Sequence, residues 1–408
     1  MRVAYFVMRY PLLTETFLDR EMRGLIAHGI AVEVHPLWDW GNRRRAMPGG
    51  ARVVRHSFVG ILASALLETC RHPDLVWRGA RALARHRPGG AESWFMALWG
   101  GIFALGVARD FRSRAEHGDG VDWLHGAWAT APATAALGLS RLLDMSFSFG
   151  AQAYDLYRHG GDPLLPLKLR RARFVHTTTR TNLEHIMKRF PDRSAEILLV
   201  RRGLPELPPL REKTEFGSPE VSLLSVGRLV EKKGQVHQLA ACAELQRRGI
   251  RFRLRIVGEG PERRQLEERI RALGLSASVE LSGAQPECAV QRAYDAADIF
   301  LHTGIIDAAG DRDGLPNVIP EAMSRGVCVI TSPGGGAAEA IAHEVTGLTA
   351  DPANPVALAD AIVRLLSDAS LRAKLRAHAH RWVAENFLAA ANTARLASAF
   401  RAQAASGR

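Results

Sequence analysis

The stretch VSLLSVGRLVEKKG (221–234) sets the fold class of this chain. An apolar run of strand length ends at a glycine, two kinds of cation follow, and an amphipathic segment comes next. Apolar runs of strand length and amphipathic segments continue to alternate up to residue 343. The pattern predicts strands at 221–227, 251–257, 278–282, 298–302 and 327–331 and helices at about 235–248, 261–273, 286–296, 317–325 and 335–343. Short apolar strands that alternate with amphipathic helices predict a parallel sheet covered on both faces.

The N-terminal half begins with a β-α-β pattern. An apolar strand at 2–8 precedes a helix that opens at Thr14 and ends near His28, and a second strand covers 30–36. Residues 55–112 are helix-like and basic. Strands at 121–125 and 146–149 flank an alanine-rich helix at about 131–142. We therefore expect an α/β protein with two Rossmann-like, doubly wound parallel-sheet domains.

A change of composition marks the boundary between the two domains. Four prolines fall between Arg201 and Glu220, beside charged residues and glycines. We expect an N-terminal domain at 1–203, a linker at 204–220, a C-terminal domain at 221–385 and a helix or tail at 386–408 that packs back on the N-terminal domain. The tail pattern is helical from Ser370 to about Phe400. A ligand cleft between the two domains is expected.

The composition is that of a soluble globular protein, with 47% hydrophobic and 24% charged residues among 408. A net charge of +12 favours anionic partners. The excess is uneven, because thirteen arginines face five acids between Gly41 and His117. Either a solvated arginine-rich surface or a contact with an anionic surface accounts for it.

Cysteine usage and the N-terminus indicate a cytoplasmic protein. The four cysteines are far apart and have no zinc-site spacing, which suits a reducing compartment. Residues 1–7 lead straight into a strand and lack the features of a signal peptide. The longest apolar run, Trp94 to Ala108, is too short as a helix to span a bilayer core of about 30 Å. A buried helix is the expectation, with an interfacial segment as the alternative.

Two turns at the predicted sheet edge suit an anionic ligand. Gly227 permits close backbone approach, and Arg228 and Lys233 place two cations at the start of the next helix. Strand 251–257 ends in Gly258 and leads to a proline at the helix start, which is a weaker signal. A solvated basic turn is the structural alternative.

A third segment, DRDGLPNVIPEAM (311–323), places Asp313 and Glu321 eight residues apart. Asp313 falls in the loop and Glu321 in the helix, so both carboxylates can face one polyhydroxylated ligand. Two unrelated surface acids are the alternative. Asp311 and Asp313 also form a literal D-x-D, but it lies within the D-x7-E frame, so no metal is expected there.

These motifs together resemble the retaining glycosyltransferases of family 4, which have the two-domain GT-B architecture with a central cleft. The matching segments are GRLVEKKG, VGEGP, DGLPNVIPEAM and PGGGAAE (333–339). YPLLTETF (10–17) and AYDLY (153–157) resemble motifs of the exopolysaccharide and colanic-acid branch. The resemblance covers nearly the whole chain.

The resemblance implies roles for individual residues. Arg228 and Lys233 would bind the donor diphosphate, Asp313 the sugar and Glu321 the ribose. The donor pocket would also include the following residues: Gly227, Gly258, Gly283, Ala284, Gly314, Leu315, Pro316, Asn317, Val318 and Glu339. The acceptor side would include Thr14, Glu15, His125, Gln152, Tyr154 and Asp155.

The chain departs from the family pattern at three positions. Asp313 replaces a glutamate and is one methylene shorter. Ala127 and Gln152 stand where the branch has histidines, and neither can act as a base near neutral pH. In the front-face mechanism of such families, the leaving phosphate takes the acceptor's proton and the protein stabilises the departing charge.

The resemblance implies a retaining, metal-independent hexosyltransferase in polysaccharide or glycoconjugate biosynthesis. Its donor would be a UDP- or GDP-linked sugar, its acceptor a saccharide or lipid-linked saccharide, and it would need no further cofactor. The alternatives are a degenerate donor-binding subunit without turnover and a nucleotide-sugar 2-epimerase of the same fold. The basic segment 41–117 adds the expectation of peripheral attachment to an anionic inner membrane face. Nucleic acid is not an expected partner.

Overall fold

The computed structural model describes residues 1–12, 16–38, 50–85, 90–210, 216 and 220–405. It divides into two compact units. The N-terminal unit comprises Met1–Pro205 together with Ala389–Arg408, and the C-terminal unit comprises Glu206–Leu388. Residues 206–210, expected in a linker, thus belong to the C-terminal unit.

The N-terminal unit contains a parallel sheet with the strand order β3-β2-β1-β4-β5-β6-β7. Its described strands are β1 (Arg2–Val7), β2 (Ala31–Pro36), β3 (Arg52–Val53), β4 (Trp123–Gly126), β5 (Phe147–Gly150), β6 (Phe174–Thr177) and β7 (Glu196–Leu199). Its helices before residue 205 are α1 (Thr16–Ala27), α2 (Phe58–Arg71), α3 (Pro73–Arg85), α4 (Ala91–Glu116), α5 (Ala131–Leu143), α6 (Ala153–Tyr157), α7 (Leu165–Arg171) and α8 (Arg180–Arg189).

The C-terminal unit contains a second parallel sheet, with the order β10-β9-β8-β11-β12-β13. Its described strands are β8 (Val221–Val226), β9 (Phe252–Val257), β10 (Val279–Leu281), β11 (Ile299–His302), β12 (Cys328–Thr331) and β13 (Leu348–Thr349). Its helices are α9 (Gln235–Arg247), α10 (Arg263–Ala272), α11 (Glu287–Ala296), α12 (Val318–Ser324), α13 (Pro355–Ser367) and α14 (Ala369–Asn386). The predicted fold class, two doubly wound parallel-sheet domains, is confirmed.

The alternation of side chains along β1 explains why the first sheet needs helices on both faces. Phe6 packs against Phe103 of α4, and Tyr5 belongs to a separate core on the opposite face. That second core includes Phe400 of the C-terminal helix α15 (Ala389–Ala405), whose ring lies 6.0 Å from the ring of Trp123. The end of the chain therefore covers one face of the N-terminal sheet.

Two predicted helices differ from the observed ones. The helix expected at 335–343 is reduced to a single 3-10 turn at Gly336–Glu339, because the glycines before it adopt left-handed backbone angles. The continuous helix expected from Ser370 to about Phe400 is broken after Asn386 into α14 and α15. The break lies at the boundary between the two compact units.

Helix α4 extends beyond both ends of the apolar run Trp94 to Ala108. It has 26 residues, and by length and composition it passes as a membrane-spanning candidate. Its buried residues, among them Phe103 and Phe111, contact the core of the N-terminal unit. In the described structure α4 is thus in part a core helix.

Candidate functional site: a cation and carboxylate cluster at the edge of the second sheet

The centre of the second sheet brings the predicted donor residues to one edge. Strands β8 and β11 are neighbours although they are not consecutive, which makes their carboxyl ends the topological switch point where ligands bind in such sheets. Gly227 and Arg228 directly follow β8. The Arg228 side chain is exposed and forms no ion pair with any described residue. It is therefore available to an anionic ligand.

Gly258 is required by the close approach of two loops. Its φ is +151°, and a Cβ atom there would lie 1.8 Å from the carbonyl oxygen of Gly227. The Gly258 amide also donates to the carbonyl of Gly283 at 2.9 Å. Any side chain at residue 258 would separate these loops, so the glycine holds the segment that carries Gly227 and Arg228 close to the turn after β9.

Lys233 forms a direct ion pair with Asp313. Its ammonium donates to Asp313 Oδ2 at 2.6 Å, and the two side chains are only 15% and 18% exposed. The Lys233 side chain is thus largely buried. Burial alone raises the pKa of Asp313, but Lys233, His302 and Lys232 outweigh burial and hold that pKa well below its usual range. Asp313 is therefore an anion that accepts hydrogen bonds.

The second acid of the D-x-D, Asp311, is held by a different lysine. Lys232 donates to Asp311 Oδ2 at 2.9 Å, and each of these side chains is 9% exposed. The Lys232 carbonyl accepts a hydrogen bond from the amide of Ile305, which ties the loop after β11 to the same segment. This pair connects the two loops that carry Lys233 and Asp313.

Glu321 lies in the first turn of α12, as predicted, and is half-buried. The Tyr294 hydroxyl donates to Glu321 Oε2 at 3.4 Å. Burial is the main cause that raises the pKa of Tyr294 well above its usual value, and the Glu321 carboxylate adds to the effect. The phenol therefore stays protonated and acts as a donor that orients Glu321.

A cavity of about 420 Å³ lies in the C-terminal unit next to Asp313. Its lining includes His302, Asp313 and Ser332 together with the backbone of Gly314 and of the loop 334–337. A Cβ at Gly336 would lie 2.1 Å from the carbonyl carbon of Gly314, so the two loops touch through their backbones. This volume falls in the range of small-molecule sites.

The remaining predicted donor residues occupy the same edge with different exposure. Leu315 and Pro316 are buried, Asn317 and Val318 are half-buried at the start of α12, and Glu339 is half-buried after the glycine loop. Ala284 is exposed in the turn after β10. Of the predicted donor residues, Asp313, Gly314 and Pro316 line the cavity itself.

In the N-terminal unit, His125 is fully buried, and this assigns it a structural role in place of direct contact with an acceptor. Its Nδ1 lies 2.8 Å from Ser148 Oγ, and its ring lies between Tyr5 and His176 at centroid distances of 4.6 and 5.3 Å. Burial is the main cause that holds the pKa of His125 well below its usual value, and the neighbouring His176 adds to it. The imidazole is therefore neutral.

Gln152 and Tyr154 have partners within the described N-terminal unit. Gln152 Oε1 accepts from the Thr178 hydroxyl at 2.8 Å, and Tyr154 donates to Glu92 at 2.8 Å. Both side chains are half-buried and can still reach a ligand. The two other acceptor-side candidates, Thr14 and Glu15, lie outside the described residues.

Asp155 is buried and caps helix α6. Its Oδ2 accepts from the backbone amides of Gln152 at 2.9 Å and Ala129 at 3.2 Å. Burial raises its pKa from 3.8 to about 7, despite these hydrogen bonds and the buried ammonium of Lys168. The contacts give Asp155 a structural role in place of direct acceptor contact.

The raised pKa of Asp155 predicts a pH-dependent stability. Because the folded protein keeps this proton between about pH 4 and about pH 7 while the unfolded chain loses it, the contribution of Asp155 to stability falls as pH rises through that window. Asp155→Asn retains an oxygen for the amides and removes the titration. We expect the wild type to lose stability relative to D155N over this range in urea unfolding. A difference that is constant with pH contradicts the raised pKa.

Part of the positive charge of segment 41–117 is neutralised internally. The buried carboxylate of Glu68 accepts from Arg112 at 2.6 Å and from Arg71 at 2.8 Å, and Arg114 donates to the buried Glu33. Other arginines of the segment, on α3, are exposed: Arg78, Arg81 and Arg85. Four more of the thirteen arginines lie outside the described residues: Arg43, Arg44, Arg45 and Arg87.

Comparison with known proteins agrees with the geometry of the C-terminal unit. Residues 208–382 match the model of the family "Glycosyl transferases group 1". This range contains Arg228, Lys233, Asp313 and Glu321. The match covers less than half of the chain and lies within the C-terminal unit. The resemblance found in the sequence is thereby confirmed for the C-terminal unit.

Two curated relatives match parts of the chain. The amylovoran biosynthesis glycosyltransferase AmsK of Erwinia amylovora is 36% identical over 171 residues, 42% of each chain. The GDP-mannose-dependent alpha-(1-6)-phosphatidylinositol monomannoside mannosyltransferase of Mycobacterium tuberculosis is 34% identical over 176 residues, 43% of this chain and 45% of the relative. The matched part thus spans less than half the length of these relatives.

A solved structure extends the likeness in fold to nearly the whole chain. Anabaena Alr3699/HepE, crystallised in complex with UDP and glucose, superposes with a TM-score of 0.68 over 98% of this chain and 100% of the other. The sequence identity is 16%, so this comparison concerns the fold alone.

The sequence motifs did not identify three residues that shape the cation and carboxylate cluster. They are Lys232, which holds Asp311, His302, which contacts Asp313, and Gln238, which donates to Ser225 and Thr303 at 3.0 Å. Only the pairing of Lys232 could have been expected from the sequence. Two consecutive lysines lie in one motif, and two aspartates separated by one residue lie in the other. The other two residues carry no such signal, since both lie outside the motifs that the sequence singles out.

Proposed function

We propose that the chain is a retaining glycosyltransferase that moves a hexosyl group from a nucleoside-diphosphate sugar to a saccharide or lipid-linked saccharide. The single observation that carries the proposal is the Lys233–Asp313 pair beside the exposed Arg228, at the switch point of the second sheet. One cluster thereby offers cations for a diphosphate and a carboxylate for sugar hydroxyls. Its location inside the matched domain supports the same assignment.

The chemistry follows from the charges at the site. As the bond between the anomeric carbon and the phosphate oxygen breaks, its electron pair stays on the departing diphosphate, where Arg228 and Lys233 stabilise the growing charge. The acceptor oxygen forms the new bond on the same face of the sugar. Its proton passes to an oxygen of the leaving phosphate, so no side-chain base is needed. This route suits a chain in which alanine and glutamine occupy the two family histidine positions.

A donor panel tests the proposal. Purified protein is mixed with UDP- and GDP-linked hexoses, with and without saccharide and lipid-linked acceptors, and release of free nucleoside diphosphate is measured. NMR of the product should show that the anomeric configuration of the donor is kept. Binding of donor without any release would favour the donor-binding subunit, and inversion at the anomeric carbon would exclude a retaining reaction.

We propose that transfer is independent of divalent metal. Asp311 and Asp313 each accept from a lysine, and a metal ion would have to displace these ammonium groups. The predicted result is full activity after EDTA treatment, because the cations at Arg228 and Lys233 supply the charge that a metal supplies elsewhere. Activity that is lost in EDTA and restored by Mn²⁺ or Mg²⁺ contradicts this.

We also propose that the protein works in the cytoplasm and attaches peripherally to an anionic membrane. The support is an apolar surface on the helices of the N-terminal unit. Val59 and Leu66 on α2 are 75% and 71% exposed, Trp77 on α3 is 69% exposed, and Phe95 on α4 is 49% exposed. The exposed arginines of α3 lie on the same chain segment as Trp77. Aromatic and apolar side chains next to arginines suit an anionic bilayer surface.

Liposome co-sedimentation tests the attachment. The wild type should bind vesicles that contain anionic lipid at low salt, and high salt should weaken this binding. Val59→Ser combined with Leu66→Ser should weaken it about tenfold or more, because two exposed apolar side chains no longer leave water. Val345→Ser combined with Val356→Ser, two exposed valines of the C-terminal unit, is the matched control. Wild-type protein that stays in the supernatant throughout contradicts the proposal and favours a soluble acceptor.

A further inference from the structure

His302 is the last residue of β11 and lines the cavity of the C-terminal unit. It is only 6% exposed. Its Nδ1 lies 3.3 Å from Thr331 Oγ1, and its Nε2 lies 3.3 Å from Asp313 Oδ2. The imidazole thus connects the end of the neighbouring strand β12 to the sugar-facing carboxylate.

The two oxygens of Asp313 have different surroundings. Oδ2 is contacted by both Lys233 at 2.6 Å and His302 at 3.3 Å. Oδ1 has Lys232 at 3.9 Å, beyond hydrogen-bond distance, and accepts no hydrogen bond from the described residues. Oδ1 therefore keeps its acceptor capacity for a ligand in the adjoining cavity.

The partners of His302 select one tautomer. A carboxylate can only accept hydrogen bonds, so Nε2 must carry a proton to bond Asp313. In the neutral ring Nδ1 is then an acceptor, and the Thr331 hydroxyl is the group that donates to it. Thr331 is 1% exposed and cannot turn away to water. The threonine thereby fixes His302 as a donor toward Asp313.

We propose that His302 is a positioning residue that holds Asp313 with Oδ1 directed at the donor sugar. The inference rests on the proposed function. When a diphosphate arrives, it competes with Asp313 for the Lys233 ammonium, and the N–H group at His302 Nε2 is then the donor that keeps Oδ2 in place.

Two substitutions at residue 302 test the role. His302→Phe removes the donor and keeps a ring, and His302→Gln restores an N–H group. His117→Gln, an exposed histidine of the N-terminal unit, is the control. The dissociation constants of the nucleoside-diphosphate sugar and of the free nucleoside diphosphate are measured for each protein by calorimetry, and kcat and KM by nucleotide release.

The expected pattern separates positioning from a merely structural role. H302F should bind the nucleotide sugar about tenfold more weakly and bind the free diphosphate as the wild type does, because only the sugar hydroxyl contact is lost. H302Q should recover most of the loss. If H302F keeps wild-type preference for the sugar, or loses both ligands equally, this inference is wrong while the proposed function stands. If the wild type binds no nucleotide sugar, the proposed function itself fails.

NMR of ¹⁵N-labelled histidine gives a readout that does not depend on activity. The free protein should show His302 protonated at Nε2 and not at Nδ1, and Thr331→Val should disturb this state because the hydroxyl that donates to Nδ1 is gone. A ring protonated at Nδ1 alone in the wild type overturns the proposed contact with Asp313.

Discussion

Arg228→Ala and Lys233→Ala should each lower transfer about 10²-fold or more while the protein stays folded, because in the proposed reaction each removes a cation that stabilises charge on the leaving diphosphate. Arg228 is exposed and unpaired among the described residues, so its loss should leave the melting temperature unchanged. Lys233 is paired with Asp313, which retains Lys232 and His302 nearby after the substitution. Nucleotide release and thermal melts measure the two effects.

The matched control is Lys374→Ala, which removes an exposed lysine of α14 in the same unit. It lowers the net charge by the same amount and should leave turnover unchanged. Transfer at the wild-type rate in both R228A and K233A would show that the donor diphosphate binds elsewhere.

Lys168→Met should destabilise the N-terminal unit by about 3 to 5 kcal/mol, because it leaves an uncompensated buried carboxylate. The Lys168 ammonium is 0% exposed and donates to Asp162 at 2.7 Å and to the carbonyls of Ala129 and Thr130. Methionine keeps the length of the side chain, so the loss reports the charge and its hydrogen bonds. Urea unfolding followed by circular dichroism measures it.

Two further variants define what is lost in K168M. Lys188→Ala removes an exposed lysine of α8 in the same unit and should change stability little. Adding Asp162→Asn to K168M should recover part of the stability, since the unpaired charge is gone. A loss below about 1 kcal/mol in K168M would mean that the pair is not buried in solution.

The fold could be predicted from the sequence because its strands and helices carry strong local patterns. The predicted ends of the strand at 251–257 and of the helix at 261–273 lie within two residues of the observed ends. The prediction of a helix at 335–343 was wrong for a local reason. The apolar spacing favours a helix, but three consecutive glycines at its start do not. The short strand β13 has only two residues and leaves no periodic signal.

The site could be predicted only where its residues follow one another in a motif. Arg228 and Lys233 share a loop, and Asp313 and Glu321 share a loop and helix, so spacing alone suggested that each pair acts together. Burial could not be predicted in the same way. Asp155 matches a family motif, yet its carboxylate is a buried helix cap, and that role depends on Ala129, 26 residues away in the chain.

Calorimetric titration with UDP and GDP, compared with the corresponding nucleosides, tests most directly whether Arg228 and Lys233 hold a donor diphosphate. The wild type should bind at least one of the two diphosphates, its nucleoside should bind far more weakly, and Arg228→Ala should weaken the diphosphate alone. Equal affinity of R228A and the wild type for the diphosphate, or equal affinity of the wild type for diphosphate and nucleoside, would contradict the assignment.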